Sequence, residues 1–112
     1  MTSGTQFEQG DILIVPFPFS DLSAIKQRPV IVLSKENNGA DIITCGITSN
    51  LKDATHSIMI ENNDLATGQI PATSRIKVDK LFTIEKSIVR KKIGRVNALT
   101  MQHVRTAFIN LV

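Results

Sequence analysis

The segment KQRPVIVLS (26–34) sets Arg28 and Pro29 directly before an apolar run, Val30 to Leu33. The ordinary reading of such an arginine is a surface charge at the start of a strand. A second reading comes from its neighbours. Arg28 follows a polar stretch with Ser20, Asp21, Ser23 and Lys26, and a second polar cluster, Thr48, Ser49 and Asn50, ends another strand-like run. If the two strand ends are adjacent, Arg28 and Thr48 converge on one pocket. A guanidinium suits phosphate because it donates two parallel hydrogen bonds in fixed geometry. A hydroxyl donor beside it would complete a clamp for charge that builds on a phosphoryl oxygen. No spacing rule by itself establishes that convergence.

Other chemistries have weaker support. A histidine pair can run acid–base cleavage, but His56 opens a strand-like run and His103 falls in a helical one, with nothing tying them together. Cys45 sits mid-strand between Thr44 and Gly46, a setting for a buried thiol and not for a nucleophile. As the single cysteine it excludes an internal disulfide and a cysteine-built metal site. The acids are scattered, without D-x-D or H-E-x-x-H spacing, and no phosphate-loop glycine pattern occurs, so neither a metal nor a cofactor is expected.

The elements that must position these groups read as follows. GDILIV (10–15) is an opening strand, and PFPFSDLSAIKQ (16–27) a long loop with Phe17 and Phe19 anchored inward. Loops of that length in compact domains are usually functional. RPVIVLS (28–34) is a strand buried on both faces, and Asn38-Gly39 marks the turn into DIITCGITS (41–49). NLKDAT (50–55) is a loop, HSIMIE (56–61) a fourth strand, and NNDLATGQIP (62–71) another loop. SRIKVDKLFTI (74–84) alternates polar and apolar as a half-exposed strand, with SIVRKKIGRV (87–96) a last extended segment bent near Gly94. Asn97 then caps a single helix whose apolar face carries Leu99, Met101, Val104, Ala107, Phe108 and Leu111. Six short strands and one helix, without βαβ alternation, argue for a small barrel or strongly bent sheet covered on one side.

At 112 residues the chain is one domain in size, with residues 1–8 expected as a flexible lead. Its 42% hydrophobic content excludes a disordered chain. No apolar run approaches the ~20 residues of a membrane span, and the start MTSGTQFEQGD lacks the basic and apolar regions of a signal peptide. A soluble, cytoplasmic domain is the expectation. Five Phe and no Trp or Tyr exclude a row of exposed Tyr or Trp stacking on bases. The net charge of +3 hides an asymmetry: residues 1–64 carry four basic and eight acidic side chains, whereas residues 75–105 carry nine basic and two acidic. A basic half points to a polyanion or acidic partner, or to a solvated, lysine-rich edge.

Taken in order, GDILIVPFPFSD, KQRPVIVLS and ITSN (47–50), with THSIMIE and SRIKVDKL further on, resemble the PemK/MazF family of bacterial toxins. The likeness spans residues 9–111; G-D or R-P alone would be weak, and the ordered set is fairly specific. It implies a mainly β fold with a C-terminal helix, the small Src-homology-3-type β-barrel that CcdB-type and PemK-type toxins share, used as a homodimer. It implies a metal-independent, sequence-specific endoribonuclease acting on single-stranded messenger RNA, and a cognate antitoxin, with an acidic or disordered C-terminal segment, that blocks the RNA groove. The family's catalytic arginine falls on Arg28 and its threonine on Thr48, with Ser20 in a supporting place. Asp21 and His56 are the candidates for a general base.

The chain departs from the family in two places. Lys26-Gln27 stands where relatives carry Gly-His or Gly-Gly, which bears on loop shape or base preference. Ser74-Arg75 stands where some relatives carry Glu-Gln, so Arg75 becomes a candidate phosphate contact. RNA-binding candidates are thus Lys26, Gln27, Ser49, Asn50, Lys52, Arg75 and Lys77, with Arg90, Lys91, Lys92 and Arg95 facing RNA or an acidic antitoxin tail. Two rivals share the fold: a CcdB-like gyrase poison, disfavoured because that action needs a C-terminal Trp that this chain lacks, and a non-catalytic RNA-binding or regulatory domain.

Overall fold

The computed structural model describes residues 6–18 and 25–112. Seven strands form one antiparallel, strongly curved sheet: β1 (Asp11–Pro18), β2 (Ile25–Val32), β3 (Asp41–Thr48), β4 (Ser57–Ile60), β5 (Leu65–Gly68), β6 (Ser74–Glu85) and β7 (Lys91–Val96). Their order across the sheet is β4-β6-β3-β2-β1-β7-β5, and helix α1 (Ala98–Leu111) packs against β6 and β4. The mainly β fold with a closing helix is as expected, as a half-barrel with β4 and β5 at its edges.

Side chains alternate across a strand, so the Val30-Ile31-Val32 run feeds both faces of the sheet. Ile31 joins Ile12, Cys45, Ile47, Ile76, Met101 and Val104 beneath the helix, all buried. Val30 and Val32 join Leu13, Val15, Ile42 and Ile84 on the opposite face. Full burial of each such aliphatic side chain contributes about 1.5–3 kcal/mol. Cys45 is buried in the helix-side cluster; burial, reinforced by the Asp79 carboxylate, pushes its thiol up to about 12.

The Gly-Asp pair that opens β1 has a structural role. Gly10 adopts φ 94°, in the left-handed region, and its N–H donates to the Val32 carbonyl at 2.9 Å. Asp11 is fully buried: its carboxylate accepts from Arg95 Nε at 2.7 Å and from the Glu8 N–H at 2.8 Å, with Lys92 Nζ at 3.7 Å. That contact raises the Arg95 pKa further. Phe7 is buried against the second cluster and its carbonyl accepts from Asn37 Nδ2 at 3.2 Å, so the lead anticipated to residue 8 is tied down from Phe7 onward.

Four expectations are corrected. The stretch 62–71 contains β5, which pairs with β7; its sequence LATG offers no alternation to read. The crossing needs two facing glycines. A Cβ at Gly68, whose φ is 76°, would fall 2.0 Å from the Ile93 carbonyl oxygen, and one at Gly94 would fall 2.7 Å from that of Thr67. The long loop is shorter than 16–27, because β1 runs to Pro18 and β2 begins at Ile25. Phe17 does pack inward, its ring 4.8 Å from that of Phe82; Phe19 lies outside the described residues. On α1 Asn97 caps as expected, accepting from the Thr100 N–H at 2.8 Å, but Leu99 is 61% exposed. Leu99 lies about 200° around the helix from Met101, on the side away from the sheet. Finally, the alternation in β6 fails at Lys77, which is buried. A register slip opposite Cys45 and Gly46 inserts Val78 to Lys80 into β6 and resets which side chains face out.

Candidate functional site

The register of β2 on β3 places Arg28, which lies within β2 and not at its start, relative to Thr48 at the end of β3. Val30 pairs with Gly46 and Val32 with Thr44. Arg28 lies two residues before Val30 and Thr48 two after Gly46. A period of two therefore sends both side chains to the face that carries Val30, away from the helix. Val15, opposite Arg28 on β1, belongs to that same face. Both residues line one cleft of about 280 Å³, walled by Phe17 and Phe82, floored by Gly46 and edged by Asp53, Lys77 and Lys80. Pro29, in the middle of β2, has no N–H, which suits the point where pairing to β3 stops while pairing to β1 continues. This is the convergence that the sequence alone left open.

A second cleft of about 650 Å³ adjoins the first, and Arg28, Pro29 and Ile47 line both. Its walls are apolar, from Ile14, Ile47, Ile70, Pro71, Ala72 and Ile93, with Lys26, Gln27, Ser49 and Ser74 at its edges. Lys26, Gln27 and Arg28 are exposed, as are Ser49 and Asn50.

Thr48 is oriented by the turn that follows it. Its Oγ1 accepts from the Asn50 N–H at 3.1 Å, and Asn50 Oδ1 accepts from the Lys52 N–H at 3.2 Å. The first contact uses an oxygen lone pair and not the hydroxyl proton, so Thr48 can still donate.

Arg75 and Lys77 make contacts within the chain. Arg75 Nε donates to the Leu51 carbonyl at 2.7 Å and its Nη1 to Ser57 Oγ at 3.2 Å. Lys77 Nζ donates to Asp53 Oδ1 at 2.8 Å and to the Thr55 carbonyl, and stands 3.7 Å from Asp79. The hydrogen bond from Lys77 holds the Asp53 carboxyl below its ordinary value of 3.8, helped by the charges of Lys77, Lys80 and Arg75. Asp53 is therefore ionised at neutral pH and a weak base.

Other expected residues stand apart. Asn50 and Lys52 belong to the turns after Thr48 and are not among the cleft-lining residues. His56 precedes β4 with φ 49°, exposed and outside both linings. Ser20 and Asp21 lie outside the described residues. Lys92 and Arg95 engage Asp11, and Lys91 edges a shallower hollow with Ile14 and Ile93. Sequence reasoning missed Asp53, Lys80 and the Ile70–Ala72 wall. Only the register slip in β6 brings Lys80 to the cleft, and no local pattern announces it.

The chain matches the family model of PemK-like, MazF-like toxins of type II toxin–antitoxin systems over residues 8–112, and it belongs to that family. No curated protein sequence matches it. Among solved structures, it resembles an endoribonuclease from mycobacterial species in complex with its cognate antitoxin. That match has 18% identity and a TM-score of 0.73, covering 94% of this chain and 93% of the other. A MazE-MazF structure from Deinococcus radiodurans matches at 16% identity and TM-score 0.73, over 93% and 94% of the two chains. The Mycobacterium tuberculosis toxin MazF-mt6 matches at 19% and 0.63, over 88% and 93%. At these identities the structures establish a shared fold.

Proposed function

We propose that this toxin is a cytoplasmic endoribonuclease that cuts single-stranded RNA, chiefly messenger RNA, by internal transesterification. The observation that supports the reading best is the meeting of Arg28 and Thr48 on one face, in one cleft. The ribose 2′ oxygen attacks the adjacent phosphorus and loses its proton. The bond from phosphorus to the 5′ oxygen breaks, and that oxygen gains a proton. The products are a 2′,3′-cyclic phosphate and a 5′-OH. Arg28 donates to the phosphoryl oxygens as charge gathers on the pentacoordinate phosphorus. A guanidinium does not give up its proton readily, so Arg28 acts as a charge stabiliser and not as the acid. Thr48 donates its hydroxyl proton to a phosphoryl oxygen or steadies the 2′-OH. The apolar walls of the larger cleft take flanking nucleotides.

The exposed Leu99, Ile109, Met59 and Leu81 favour association, and we read the active form as a homodimer. The partner in regulation is the cognate antitoxin, whose acidic segment would compete with RNA for the clefts.

The test is to incubate purified protein with a long single-stranded RNA in excess EDTA, beside Arg28→Ala, and map the ends. Cuts at one short sequence with 5′-OH termini, lost in Arg28→Ala and absent on the all-deoxy strand, are expected. A folded wild-type protein that leaves several unrelated RNAs intact would overturn the reading.

A further inference from the structure

The connection from Thr48 to Ser57 is held by two cations of one strand. Arg75 reaches Leu51 and Ser57, while Lys77 reaches Asp53 and Thr55. Every second residue from 51 to 57 is thus gripped from β6. The Lys77 side chain is only 4% exposed, whereas the Asp53 side chain is 43% exposed at the cleft edge. An ammonium has three protons to donate. Two go to Asp53 and Thr55, and Asp79 draws the third side from 3.7 Å. Lys77 edges the cleft, and a phosphate there would have to compete with Asp53 and Asp79 for an ammonium already committed within the protein.

Resting on the endoribonuclease reading, we propose that Lys77 is a positioning residue of the Arg28–Thr48 site and makes no contact with RNA. It fixes the connection whose first turn, the Asn50 N–H on Thr48 Oγ1, sets the direction of the catalytic hydroxyl. Lys77 also pairs with Gly46 across β3, two residues from Thr48, so its clamp and the hydroxyl share one stretch of strand. Small misplacements of a catalytic group cost rate more than affinity, because the transition state demands the tighter geometry.

The experiment compares wild type, Asp53→Asn and Lys77→Met on one RNA oligonucleotide carrying the mapped cut site. It reads kcat and KM, the salt dependence of binding to the uncleavable 2′-deoxy analogue, and amide exchange of residues 49–56 in the free protein. Both variants should speed that exchange and lower kcat about tenfold or more, with KM changed less than about twofold. The slope of log affinity against log salt should not change. A slope smaller by about 0.7 in Lys77→Met, with KM raised and kcat intact, would instead make Lys77 a phosphate contact and overturn the proposal. Faster exchange with unchanged kcat would overturn it too, leaving a clamp that serves stability alone. If Lys77→Met fails to fold, Asp53→Asn removes the same ion pair from the exposed side. A wild type that cuts, beside variants that cut equally well, sinks this inference alone; a wild type that never cuts sinks the functional reading beneath it.

Discussion

At the scale of single residues, the two groups assigned to chemistry differ in what each supplies. Arg28 brings a planar fork as well as charge, and lysine keeps only the charge. Arg28→Lys should therefore lose at least about a hundredfold in kcat, read in single-turnover cleavage, and Arg28→Ala more. Thr48→Val keeps the shape and removes the donor, and should lose about ten- to a hundredfold with little change in melting temperature. Asp11 gives the opposite pattern. Its buried carboxylate holds Arg95 and the Glu8 N–H, so Asp11→Ala should destabilise by about 2–3 kcal/mol in urea unfolding and leave per-molecule cleavage intact. Arg28 and Thr48 could be nominated from the sequence by the ordered motifs of the family resemblance, but their meeting on one face needed the register of β2 on β3, which no spacing rule gives. Lys77 was misread because a lysine's burial depends on partners, Asp53 and Thr55, that lie more than twenty residues away.

At the scale of elements, the edge strand β5 stands or falls with Gly68 and Gly94. Gly68→Ala places a methyl on the Ile93 carbonyl at a φ that alanine resists. It should cost at least about 2 kcal/mol and show first as rapid amide exchange in β5. The connection after β3 should respond to acid. The folded pKa of Asp53 lies below its ordinary 3.8, so its contribution is fully present above that value and is lost as pH falls through the lower, folded pKa. Proteolysis within 49–56 should thus accelerate only in that acid range, and Asp53→Asn should be fast at every pH. The strands of alternating or β-branched sequence were readable; β5 was not, because LATG carries neither signal and is held by what its glycines permit. The helix face was readable from Met101 to Leu111, and failed at Leu99 because spacing of two residues turns a helix too far.

At the scale of the molecule, the basic half is less available than its charge count implies. Of its nine cations, Lys77, Lys92 and Arg95 face carboxylates and Lys86 donates to the Asn37 carbonyl. Binding of single-stranded RNA should consequently weaken with salt less steeply than nine phosphate contacts would give. Lys80→Ala, at the cleft edge, should reduce the slope by about 0.7. The asymmetry suggested a polyanion, an acidic partner or a solvated edge, yet which charges face solvent is decided by tertiary pairing. One last property concerns the whole sheet. Cys45 is the chain's single thiol, fully buried at the middle of β3 and scarcely ionised. A thiol reagent can reach it only when the strands part, so its rate of alkylation under native conditions is a built-in clock for opening of the sheet. Antitoxin or RNA bound across the strands would slow that clock by a measurable factor, reporting occupancy without any label on the partner.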